Sequence, residues 1–174
     1  MKRVNLFIIL ILVSSLVNAQ ENKDTWTDAE KKHYEVLKGF CLYLKSNNEY
    51  SRDLVLERFV EFDYVLSDTS AARVERRKIQ LDTLVIQFDK YIDLVGFENL
   101  DAKPLRLYSP IHKIRKPFIG ELGDISNEVF AYYRKDSENY PLGTVWFNNK
   151  NSKIISWMLI NQGGYYYFLT FNLL

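Results

Sequence analysis

Residues 106–116, Arg-Leu-Tyr-Ser-Pro-Ile-His-Lys-Ile-Arg-Lys, carry the densest group of potential anion binders in the chain: five of the eleven are Arg, Lys or His. Guanidinium and ammonium groups clamp carboxylates, phosphates or acidic protein patches. Arg106, His112, Lys113, Arg115 and Lys116 are therefore the candidate ligand-binding set. Ser109-Pro110 and Lys116-Pro117 hold the stretch extended. An irregular segment from about 109 to 123 is at the length where loops are often functional. The competing expectation is a loop that its charges merely keep solvated.

The second candidate is aromatic. Trp157, Tyr165, Tyr166, Tyr167, Phe168 and Phe171 crowd the end of the chain. In the last run, Tyr165, Tyr167, Leu169 and Phe171 fall on one side of a strand and Tyr166 and Phe168 on the other. In the run before it, Ile155, Trp157 and Leu159 oppose Ile154, Met158 and Ile160. A sheet with one wet face alternates apolar and polar; this one does not. Either a partner covers the second face, since large bare apolar patches mark contacts, or residues 104–126 fold back over it.

Catalytic patterns are sparse. Asp82, Asp89 and Asp93 lie along one side of a predicted helix, seven and four residues apart. That side avoids the apolar stripe and is expected to be solvated. His33 precedes an apolar stripe and is expected at the rim of the core. Cys41 is the only cysteine and is expected to be a buried, unpaired thiol beside Leu37 and Leu44. The sequence has no paired His, no Gly-x-Ser-x-Gly, no P-loop and no Gly-x-Gly-x-x-Gly. No metal site, cofactor or catalytic set is expected from it.

The elements that must position these groups follow from periodicity. Thr27-Asp28-Ala29-Glu30 is a capping box opening a helix over about 28–46, which Asn47-Asn48 stops. Ser51 caps a second helix to about Leu66, striped by Val55, Phe59, Phe62 and Leu66. A third, of some 25 residues, carries Val74, Leu81, Phe88 and Val95 and ends at Gly96, a residue free to turn left-handed. Arg73, Arg76, Arg77 and Lys78 crowd its start, where the helix dipole favours acids. Beyond Pro104, the runs 128–135, 142–148, 153–161 and 165–172 are rich in aromatic and β-branched residues and separated by turn residues. Residues 105–108 are a candidate fifth strand.

The fold expected is α+β: three N-terminal helices packed on one face of a curved four- to five-stranded antiparallel β-meander. In architecture alone this is similar to the cone-shaped helix-plus-sheet domains of the nuclear-transport-factor-2-like and cystatin-like kind. No residue motif carries the likeness, and it implies nothing about function.

Lys2-Arg3, the apolar run Leu6 to Val17 and Val17-Asn18-Ala19 read as a signal peptide over 1–19. The run is too short to span a bilayer, which needs about 20 residues. A flexible mature N-terminus over 20–26 and a single domain over 27–174 follow, with a helical part 27–100 and a β part 104–174. Losing Lys2 and Arg3 takes the formal charge from +1 to −1, which gives no reason to expect nucleic acid as a partner. The sequence thus favours an exported, periplasmic or secreted, non-catalytic binding protein. It would engage a protein partner, a second copy in a homodimer, or a small anionic ligand through the aromatic face and the basic loop. The alternative is a small periplasmic hydrolase or isomerase with a pocket enclosed by the curved sheet, marked by Asp or Glu beside His112.

Overall fold

The computed structural model describes residues 23–46 and 50–174. The predicted signal peptide, the first residues after it and the Asn47-Asn48 stop lie outside the described residues. The architecture is α+β, with helices followed by a four-stranded antiparallel sheet and a two-stranded one. No helix among the described residues is long and apolar enough to cross a membrane.

Helix α1 (Asp28–Ser46) begins with the capping box formed in both directions: Thr27 N–H donates to Glu30 Oε2 at 2.7 Å and Glu30 N–H to Thr27 Oγ1 at 3.2 Å. Its buried stripe is Glu30, His33, Leu37, Phe40 and Cys41. The stripe sits about one residue earlier than Tyr34 and Leu44 suggested, and this carries His33 from the expected rim into the core. The 3₁₀ turn Lys23–Thr25 delivers Trp26 into the same core, edge-on to Tyr34 and Phe130.

The predicted second helix is broken. Helix α2 (Arg52–Arg58) stops before Phe59, and a single turn, α3 (Asp63–Leu66), resumes after it. Between them the backbone pairs with a distant strand. Phe59 C=O accepts from Ile154 N–H at 2.7 Å, Glu61 N–H donates to Ile154 C=O at 2.8 Å, and Val60 bridges Ile154. An unpaired strand edge is costly to bury, and satisfying this one outweighs about one turn of helix.

Helix α4 (Ala71–Val95) runs 25 residues, roughly 37 Å at 1.5 Å each. It buries Leu81, Val85, Phe88 and Ile92, and it ends where Gly96, at φ 85°, donates its N–H to Ile92 C=O. At its start Arg73 is held by Asp68, in the turn before the helix, at 2.8 and 2.9 Å. That acid answers Arg73; the structure gives no reason for Arg76, Arg77 and Lys78.

The large sheet has the order β1 (Leu100–Pro104), β2 (Val129–Arg134), β3 (Gly143–Phe147) and β4 (Ile154–Ser156). The extra strand is β1, earlier than expected; 105–107 is a 3₁₀ turn. The run 153–161 divides at Trp157-Met158, and β5 (Leu159–Gln162) pairs with β6 (Tyr165–Phe168) as a separate hairpin. Gly163 and Gly164, both at positive φ, make its two-residue turn. Buried Ser156 makes the corner: its hydroxyl donates to Leu169 C=O at 2.7 Å and accepts from Met158 N–H at 2.9 Å.

Alternation along β2 and β3 separates two cores. Phe130, Val145 and Phe147 face the helices. Val129, Ala131 and Trp146 face the opposite way, under Leu105, Tyr108, Phe118 and Phe168. Two 3₁₀ segments, Lys113–Phe118 and Gly123–Glu128, form that second cover. Residues following Pro104 thus fold back over the sheet, the second of the two arrangements open from sequence.

Candidate functional site

A cavity of about 340 Å³ opens between α1, α4 and the β1–β2 edge. Helical spacing puts Tyr34, Leu37, Lys38 and Cys41 of α1 on one side of it, and Phe88, Tyr91 and Ile92 of α4 on another. Its floor is apolar: Leu37, Cys41, Phe88, Ile92 and Ala102. Tyr132 of β2 supplies a wall, edge-on to both Phe88 and Tyr91. Its ring lies against Gly143 on the neighbouring strand, where any Cβ would collide with it. Lys38, Glu98, Asp101 and Lys135 stand among the lining residues as its charged groups.

The polar groups are not equivalent. Asp101 Oδ1 accepts from the Tyr34 hydroxyl at 2.9 Å and from Ala102 N–H at 2.8 Å. Glu98 Oε1 accepts weakly from Asn99 at 3.3 Å. Lys135 Nζ donates to the Glu98 backbone carbonyl at 2.7 Å. Neither Lys38 nor Lys135 forms an ion pair among the described residues. Burial pushes the Tyr91 and Tyr132 hydroxyls above the ordinary tyrosine range, so both stay protonated donors. Burial, with Asp89 adding to it, pushes the Cys41 thiol up to about 12. A thiol so held is a poor nucleophile, and it is unpaired and buried, as its place on the stripe predicted.

The basic stretch sits elsewhere, in the second cover, and much of its charge is already engaged. Arg106 holds Glu30 through Nε at 2.6 Å and Nη2 at 2.8 Å, and it also donates to Thr25 C=O. Arg115 Nη1 donates to the carbonyls of Arg106 and Tyr108. His112 caps its own 3₁₀ turn by accepting from Ile114 N–H, and its Nε2 lies 2.9 Å from Asn139 C=O. Lys113 and Lys116 are exposed. None of these five residues, His112 included, is among the groups lining the cleft.

The aromatic set is also divided. Phe171 is fully buried and Phe168 is 6% exposed. Trp157 stacks on Phe88 at 4.7 Å and meets Phe171 edge-on at 4.6 Å. Tyr166 is half-buried, while Tyr165 and Tyr167 are exposed. Asp82 and Asp93, expected to be solvated, tie α4 to its neighbours: Asp82 accepts from Arg52 and Tyr50, and Asp93 pairs with Lys45. Asp89 keeps one oxygen buried without a hydrogen bond, and burial raises its pKa. His33 is 1% exposed and stacked on Phe147 at 4.8 Å. Its nitrogens make no hydrogen bond, and the Asn148 backbone nearby lies outside bonding geometry. Among the described residues, no group of three or more His, Cys, Asp or Glu could hold a metal ion.

Sequence reasoning missed the cleft because its walls come from five separate elements, the two helices, the 3₁₀ turn Phe97–Asn99 and two strands. The one local hint was Gly143, directly across from Tyr132 in a run of large residues. No family model, curated protein or solved structure matches the chain.

Proposed function

We propose that this protein is an exported, non-catalytic binding protein that takes a small ligand in the cleft between α1, α4 and β1. The observation that carries this reading is the cavity itself, whose volume falls in the range of ligand pockets and whose floor is apolar with a few polar groups at its edge. Export rests on the basic, apolar and Val-x-Ala pattern of the first nineteen residues. The cleft carries Asp101 and Glu98, but Asp101 is engaged by Tyr34 and the thiol is held protonated, which favours binding over acid–base or nucleophilic chemistry. A second reading, docking of a protein or a second copy, rests on Tyr165 at 69% exposure on a two-stranded hairpin.

Amide chemical-shift mapping with a fragment library separates the two. Ligand binding in the cleft shifts Leu37, Cys41, Ile92 and Ala102. Shifts confined to Tyr165 and Tyr167, or concentration-dependent shifts there without any ligand, would replace the cleft reading with the docking one.

A further inference from the structure

We infer that the ligand of this cleft is a carboxylate amphiphile: one anionic head with an apolar body of octanoate or 3-phenylpropanoate size. The inference rests on the reading that the cleft is a binding site, and it names the chemistry that site selects.

Three observations converge on it. The first is the imbalance of polar groups. Lys38 and Lys135 have no acidic partner among the described residues, whereas Asp101 is committed to two donors within the fold. The Tyr91 hydroxyl adds a donor, and no hydrogen bond to it is made among the described residues. A ligand that pairs with these donors must supply acceptors, and an ionised carboxylate supplies the strongest. Glu98 stands on the same rim and opposes a second negative charge, which restricts the head to a monoanion.

The second is the floor. Leu37, Phe88, Ile92 and Ala102 offer nothing to hydrogen-bond, so a polar body would lose its water there without replacement. The body must be apolar. The third is size: about 340 Å³, at roughly 30 Å³ for each water-sized unit, holds about eleven heavy atoms. The aromatic walls accept an acyl chain or a flat ring alike, and the two probes distinguish them.

Calorimetric titration of the purified protein tests this with octanoate, 3-phenylpropanoate, 1-octanol and octylamine. At least one carboxylate should bind about tenfold tighter than 1-octanol, the return expected from one charge-assisted hydrogen bond. Lys38→Ser/Lys135→Ser should abolish that preference, with the near-ultraviolet circular dichroism spectrum intact. Octanoate tighter than 3-phenylpropanoate assigns an acyl body, and the reverse an aromatic one. If 1-octanol or octylamine binds as well as either carboxylate, the anionic head is overturned while the cleft remains a binding site. A preference that survives the double substitution also overturns it, because the head then lies elsewhere. No binding by any of the four overturns both this inference and the binding reading beneath it.

Discussion

On one face of the four-stranded sheet, Phe130, Val145 and Phe147 meet α1, α2 and α4; on the other, Val129, Ala131 and Trp146 meet the 3₁₀-rich cover over 105–128. The helices satisfy their own backbones, so they need bring only apolar side chains to the sheet. The second cover has few regular hydrogen bonds and is held by side chains bonded to carbonyls, its own and those of the β2–β3 connection. Arg115 serves Arg106 and Tyr108, His112 meets Asn139, and Tyr108 donates to Glu138 C=O. On the strand beneath it, buried Lys103 of β1 pairs with Glu138 over the Tyr108 ring. Charge in the basic stretch is thus largely consumed by the architecture of an irregular cover. On the helical face His33 is left without a hydrogen bond among the described residues.

The largest test of that contrast is a pair of cavities. Phe130→Ala, on the helical face, should cost about 3–5 kcal/mol in urea unfolding, as deep core truncations do. Phe118→Ala, under the second cover, should cost less, about 2–3 kcal/mol, because short turns can relax into the space. Equal losses would show that the two covers are equally rigid.

Next in size is the clasp between them. Arg106→Ala strands the Glu30 carboxylate, which is 3% exposed, and should cost about 2–3 kcal/mol at pH 7. Burial alone would raise the Glu30 pKa, but the bonds from Arg106 and Thr27 more than offset it, and the net direction is down. A carboxylate with a lowered folded pKa stabilises above its unfolded value, about 4.3, and that contribution is lost as pH falls through the lower folded value. The difference between wild type and Arg106→Ala should therefore narrow between pH 5 and pH 3 in parallel urea titrations. A constant difference would remove Glu30 from the account.

The smallest expected effect concerns His33. Burial lowers its pKa, against a smaller opposing pull from Glu30 and the Asn148 backbone, while Lys32 lowers it further. The unfolded chain then takes up a proton first, so stability present above about pH 6.5 is lost as pH falls below it, by at most about 1.4 kcal/mol per pH unit. His33→Phe, which keeps a ring against Phe147, should flatten the stability profile between pH 7 and pH 5. A slope that persists in His33→Phe would assign the acid sensitivity to another group.

Legibility differed along the same line. Periodicity located α1 and α4, and the capping box and Gly96 marked their ends, because each of these signals is complete within a few residues. Strand β1 was harder to read: Leu-Asp-Ala-Lys-Pro looks polar, since Lys103 is buried by an acid and two rings rather than by its own character. The basic stretch advertised a binding site that the fold largely spends on internal bonds. The cleft advertised almost nothing.

What the sequence determined by itself is therefore the local part: where the chain coils, where it extends, and that a free thiol would be buried. The tertiary structure decided the rest. It broke the second helix at Phe59 because Ile154, far along the chain, offered its backbone to be paired. It assigned Arg106 to Glu30 and left Lys38 and Lys135, beside an apolar hollow, with no ion pair among the described residues. Local hydrogen bonds and side-chain periods are written over a few neighbouring residues. Which charge finds which partner depends on the folded distance between groups, and no short stretch of sequence contains that distance.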